Sequence, residues 1–204
     1  SLLVCCWTLA RNRGPLLLLV QGCLRLMTAV PTVVYGFAAV FLVTPSIRAG
    51  LGGSGFCWLS AVLVLSLLVL PTMVLIMQSG LAPRLDKLCP QGLALGLDRL
   101  ELFWFFVLPR AKNVMLAALL LGFGRAVGDT LLPLMLAGNA PQVPHALNEG
   151  LRTLTAHMAL VTANEVGGSA YNSLFAAGAL LLVINAATSL SLRFLRAGQA
   201  RTAG

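Results

Sequence analysis

Arg125 and Asp129 are the residues whose types and spacing most directly imply chemistry. They stand in Gly124-Arg125-Ala126-Val127-Gly128-Asp129-Thr130, inside an apolar run from about Val114 to Leu136. An arginine at mid-bilayer costs roughly 2.5–3.5 kcal/mol on insertion scales, so it turns toward a protein interior or a watery path. Asp129 follows four residues later, on the same helical face. A guanidinium is a planar fork of donors that meets two oxygens of a tetrahedral anion at once and stays charged in apolar surroundings. Arg125 therefore suits an anion path, with Asp129 neutralising it when the path is empty. Two readings of the pair stay open: an exchangeable one, in which an anion replaces or joins the carboxylate, and a static ion pair that fixes helix register. Thr130 adds a hydroxyl beside Asp129. Thr32 and Tyr35, next to Pro31, either donate to the same anion or satisfy backbone groups loosened by the proline. Gly124 and Gly128, at four-residue spacing, let a second helix approach closely.

These residues need a membrane around them. The chain is 58% hydrophobic and 10% charged, with a mean hydropathy of +0.91. An ordinary soluble domain carries about 25% charged residues, so that class is excluded. The net charge of +8 does not indicate nucleic acid, because most basic residues sit in short polar segments between apolar spans, where the positive-inside rule places them. The five cysteines, Cys5, Cys6, Cys23, Cys57 and Cys89, show no Cys-x-x-Cys or Cys/His spacing. They read as buried small hydrophobes rather than a disulfide or metal framework. His145 and His157 stand alone and read as surface or packing residues.

Apolar length predicts an all-α membrane protein with four spans: residues 15–44, interrupted by Pro31; 56–77, containing Pro71; 113–136; and 174–195. Residues 1–10 read as the tail of a helix whose start lies upstream, so the chain is expected to be N-terminally truncated. Arg11 and Arg13, the segment 82–112 with Arg84, Lys87, Arg99, Arg110 and Lys112, and the closing Arg193, Arg196 and Arg201 fall on the cytoplasmic side. Segments 46–55 and 138–171 fall outside. Residues 146–164 carry Leu147, Leu151, Leu154 and Met158 at helical spacing, so a helix is expected there, on the membrane surface or folded back into it.

Between two spans lies Gln91-Gly-Leu-Ala-Leu-Gly-Leu-Asp-Arg-Leu-Glu-Leu-Phe-Trp-Phe-Phe-Val-Leu-Pro109. It reads as a short helix, a break at Gly96 and a second short helix, an elbow that offers an apolar face to a cytoplasmic partner. Phe103-Trp104-Phe105-Phe106 reads as interfacial anchor and docking surface. The segment resembles the coupling loop of ABC importer permeases, whose motif runs Glu-Ala-Ala, three residues, Gly, nine residues, Ile-x-Leu-Pro. Gly96 and Phe106-Val107-Leu108-Pro109 match that spacing, whereas Pro90-Gln91-Gly92 replaces the Glu-Ala-Ala opening. Asp86 and Glu101 are candidates to replace the lost acid. Val30-Pro31-Thr32-Val33-Val34-Tyr35-Gly36, the Arg125 heptapeptide (Asp129 where the motif has Glu), Leu136-Ala137-Gly138-Asn139 and Arg152-Thr153-Leu154-Thr155-Ala156 look like stretches of the phosphate-specific permeases.

The resemblance spans about residues 15–195. It implies a polytopic helical bundle of the type I ABC importer permease kind, in the cell inner (cytoplasmic) membrane, moving inorganic phosphate inward. Arg125, Asp129, Thr130, Tyr35 and Thr32 would line the path. Gln91, Gly92, Gly96, Phe106, Leu108 and Pro109 would form the coupling loop, and Gly124, Gly128 and Pro31 would pack helices. The implied partners are an ATP-binding cassette ATPase, a second related permease, an external phosphate-binding protein and the lipid bilayer. The chain itself would bind no cofactor and no metal, ATP and Mg belonging to the ATPase. No Gly-x-x-x-x-Gly-Lys-Ser/Thr loop is present, so this chain is not that ATPase. His-Glu-x-x-His and Gly-x-Ser-x-Gly are absent too, which argues against an intramembrane enzyme. Two alternatives stand beside phosphate: a permease for molybdate, tungstate or sulfate, and a non-transporting structural or regulatory subunit.

Overall fold

The computed structural model describes residues 1–10, 14–164 and 168–202. Arg11 and Arg13 lie outside the described residues, as do the side-chain surroundings of Arg196 and Arg201. Among the described residues the chain is helical, with one isolated parallel bridge, Gly138 to Leu151, and no ladder. Four segments are long and apolar enough to cross a membrane: Thr32–Leu51, Trp58–Ala94, Pro109–Gly128 and Tyr171–Leu195.

The helix bounds depart from the spans read from sequence in ways that proline explains. Residues 15–44 form two helices, α2 (Pro15–Ala29) and the start of α3 (Thr32–Leu51), after the short α1 (Leu2–Ala10). Proline disfavours the helical region for the residue before it. Pro31 itself is extended, at φ −59° and ψ 142°, so it starts α3 rather than kinking one span. The second span is far longer than 56–77. Helix α4 runs Trp58–Ala94 through Pro71, Pro83 and Pro90, and it includes the residues read as a separate short helix before Gly96. It ends in a Schellman turn: Leu97 N donates to Gly92 O at 3.0 Å and Gly96 N to Leu93 O at 3.1 Å, with Gly96 at φ +79°. That left-handed residue is tolerated because glycine has no Cβ.

The elbow that follows is compact. Helix α5 (Arg99–Glu101) leads into a π-helical turn, Leu102–Val107, and a 3-10 turn, Pro109–Ala111. Asp98 and Glu101 form a capping box: Asp98 Oδ1 accepts from Arg99 N at 2.8 Å and Glu101 Oε2 accepts from Asp98 N at 2.9 Å. Helix α6 (Lys112–Gly128) does not continue to Leu136. It stops, and α7 (Leu131–Leu136) begins after a break at Asp129 and Thr130. In segment 138–171 the helix α8 is Leu154–Asn164 only, and α9 is Ser169–Thr202. Residues 146–153 are turn and extended chain instead.

The chain divides into two compact units. The first comprises Ser1–Ala29, Val69–Phe123 and Leu190–Gly204. Its core gathers Cys5, Val74, Leu81, Leu85, Leu102, Phe103, Val107 and Ala118. The helices meet closely at Gly80 and Gly122, where a Cβ would lie 2.5 Å from Val114 Cγ1 and 2.8 Å from Met73 Cγ. The second comprises Val30–Leu68 and Gly124–Ser189, with Leu132, Leu136 and Ala137 buried against Ala39, Val64 and Leu68. Here Gly36 admits Met135, whose Sδ would lie 2.7 Å from an added Cβ. Residues 138–151 are tied to the α3–α4 turn: Trp58 Nε1 donates to Ala146 O at 2.9 Å, Trp58 N to Glu149 O at 3.0 Å, and Asn148 Nδ2 to Leu51 O at 3.3 Å.

Candidate functional site

The break between α6 and α7 makes the site. Pro133 has no N–H for the carbonyl four residues back, and its ring crowds that carbonyl. The residue in question is Asp129. Its freed backbone O accepts from Thr155 Oγ1 at 3.0 Å, which ties α8 to the break. Its side chain caps α7, with Oδ1 accepting from Leu131 N at 3.1 Å and from Leu132 N at 3.2 Å. A carboxylate that accepts two N-terminal amide hydrogens replaces the bonds the broken helix lost.

This capping separates the pair expected from sequence. The described residues hold one ion pair, Asp86 with Arg99, and Arg125 and Asp129 do not form one. Asp129 has left the face of α6, because the helix ends one residue before it. Arg125 Nε and Asp129 Oδ2 are each buried with no partner among the described residues. Both residues nevertheless line one open cleft of about 540 Å³, with Thr32, Gly128, Thr130 and Leu131. The structure thus brings together four of the five residues expected on the path. Tyr35 instead packs against the second unit's core.

An added Cβ at Gly124 or Gly128 meets nothing within 4 Å among the described residues, so neither glycine makes a close helix approach there. The close approach on α6 is made by Gly122, whose Cα faces Met73 and Val69. The cleft wall at Gly128 is open space, and Pro31 serves as a helix boundary.

The capping role gives a measurable distinction. Asp129→Ala removes the cap and is expected to cost about 0.5–2 kcal/mol of stability. Asp129→Asn retains an acceptor for Leu131 N and Leu132 N and is expected to cost less. Thermal unfolding of the two variants checks this, and equal losses would contradict the capping role.

Of the coupling-loop residues, Gly92 and Gly96 have strict local roles. An added Cβ at Gly92 would collide with Leu102, so the position that replaces the motif's alanine is filled by the elbow's own leucine. Phe106 and Pro109 are exposed, Leu108 is half-buried and Gln91 is exposed. Trp104 and Phe105 are exposed beside Leu100 and Glu101, while Phe103 is fully buried. Sequence reasoning treated the four aromatic residues as one surface. The π-helical register splits them, and Pro109 was the only local cue that the last turn is irregular.

Residues 3–200 match the model of a family described as the binding-protein-dependent transport system inner membrane component. The chain belongs to that family. It is an all-α, polytopic ABC permease chain, of a family of membrane transport components. Among curated proteins it is 31% identical over 177 residues to a probable ABC transporter permease protein, YqgH, of Bacillus subtilis, covering 86% of this chain and 57% of the relative. It is 25% identical over 183 residues to the phosphate transport system permease protein PstC of Pasteurella multocida, covering 79% of this chain and 56% of the relative. To the probable PstC of Methanocaldococcus jannaschii it is 27% identical over 178 residues, covering 78% and 56% respectively. The chain thus spans a little over half the length of these relatives. No solved structure matches it.

Proposed function

We propose that this permease moves inorganic phosphate into the cytoplasm, driven by ATP hydrolysis on a separate subunit. The observation that carries the reading is Arg125, a half-buried cation with no hydrogen-bond or ion-pair partner among the described residues, lining an open cleft at the end of an apolar helix. A buried polar atom without a partner costs about 1–3 kcal/mol, more when charged. A tetrahedral anion meeting the guanidinium fork offsets that cost. Phosphate rather than another oxyanion is favoured by relatives that bear the name of phosphate transport permeases.

In this reading Arg125 binds the anion, Thr32 and Thr130 offer hydroxyls from the cleft wall, and Asp129 holds that wall in place. The partners are an ATP-binding cassette ATPase carrying ATP and Mg, a second permease, an external phosphate-binding protein and the lipid of the inner membrane. The similarity to a PstA homolog of Mycoplasma pneumoniae supports a related second permease. The chain carries no cofactor of its own. The elbow would meet the ATPase through Trp104, Phe105 and Phe106.

ATP-dependent uptake of labelled phosphate into vesicles bearing the full-length complex tests the reading. Uptake that resists excess sulfate and molybdate is the expected result. Uptake abolished by either competitor would reassign the cargo, and ATP turnover without uptake of any oxyanion would point to a regulatory subunit.

A further inference from the structure

We propose that Arg99 is a positioning residue that fastens the elbow to the end of α4, so that displacement of the elbow's aromatic face is passed to that helix. The proposal rests on the reading of the elbow as the ATPase-docking element. The guanidinium grips α4 at two points: Nη2 lies 3.0 Å from Asp86 Oδ1 and Nε donates to Cys89 Sγ at 3.2 Å. Asp86 and Cys89 are three residues apart, neighbours on one helix face. At its other end, Arg99 is the first residue of α5, held by the capping box of Asp98 and Glu101. Beneath it Leu102 fills the space above Gly92.

This arrangement answers what replaces the missing Glu-Ala-Ala acid. Asp86 and Glu101 are both committed inside the chain, one to Arg99 and one to the Asp98 amide. The Asp86 side chain is 67% exposed and that of Arg99 is 23% exposed. An exposed ion pair adds little to stability, and burial of Leu102, Phe103 and Val107 holds the elbow folded without it. What the fork adds is direction. Two anchors on one face of α4 fix how the start of α5 lies on that helix. Lysine, a point charge on a flexible stem, does not reproduce that grip.

The test uses the full-length complex in vesicles, comparing wild type with Arg99→Gln, Asp86→Asn and the charge-swapped double variant Asp86→Arg/Arg99→Asp. Two quantities are read: phosphate moved per ATP hydrolysed, and amide hydrogen exchange across residues 97–108. Each single variant is expected to lower the transport ratio at least about five-fold, the low end of ordinary coupling between sites, and to speed exchange in the elbow. The double variant remakes the ion pair but not the Nε contact to Cys89, so it is expected to restore only part of both. An unchanged ratio or unchanged exchange in the single variants, or full restoration by the swap, would overturn the proposal. Should wild-type vesicles move no phosphate, the functional reading falls, and the exchange rates alone decide whether Arg99 holds the elbow.

Discussion

Replacing Arg125 by Gln is expected to lower ATP-driven phosphate uptake by about 10- to 150-fold, the equivalent of the roughly 1.5–3 kcal/mol that a hydrogen bond to a charged group contributes. The same change is expected to leave the protein as stable as before, or slightly more so. Arg125 Nε is buried without a partner, so the substitution relieves an unsatisfied donor rather than breaking a contact. A structural arginine behaves the opposite way, since removing one member of a buried ion pair is strongly destabilising. Uptake and thermal midpoint measured together therefore separate the roles. Arg125→Lys sharpens the contrast: it keeps the charge but loses the planar fork, so an intermediate loss is expected. Uptake equal to wild type in both variants would remove Arg125 from the path.

Phe103→Ala is expected to destabilise the protein by about 3–5 kcal/mol, the usual cost of emptying a fully buried aromatic site. Phe103 is wholly buried in the first unit's core and stacks edge-on against Trp104, with ring centroids 6.2 Å apart. Phe105, two residues on, is 74% exposed. Phe105→Ala is expected to change stability by less than about 0.5 kcal/mol while weakening retention of the ATPase subunit. Thermal unfolding and co-purification of the ATPase check the pair. Equal destabilisation by both substitutions would mean that the aromatic residues form one surface after all.

Much of the fold was legible because membrane spans announce themselves by length and apolarity. Four candidate spans are present among the described residues, as many as expected, but their ends moved and the first is Thr32–Leu51, with Pro15–Ala29 a shorter helix of its own. Proline was the source of most of those shifts, and its effect depended on its neighbours. Pro71, Pro83 and Pro90 lie inside α4 without ending it. Pro133 breaks its run because Asp129, four residues back, supplies a side-chain cap for the amides that a break exposes. The combination was visible in the sequence, and reading the two residues together would have placed the break. The membership of the cleft was legible as well, through the charged heptapeptide. Its geometry was not, since the pairing of Arg125 with Asp129 assumed a helix that continues through both. The Arg99 clamp had no sequence signal, because it depends on how the Gly96 turn folds the chain back onto α4.

The π-helical turn carries a consequence for how this protein tolerates changes in length. Leu108 N donates to Phe103 O at 2.9 Å, a bond spanning five residues where an α-helix spans four. Deleting a single codon between Leu102 and Val107 would let the segment relax to ordinary α-helical register. Because the π turn carries one residue more than an α-helical turn, that loss leaves the flanking turns in nearly the phase they have now. A one-residue deletion here would therefore be absorbed locally, whereas the same deletion inside the α-helical stretch of α4 would rotate every residue beyond it by about 100°.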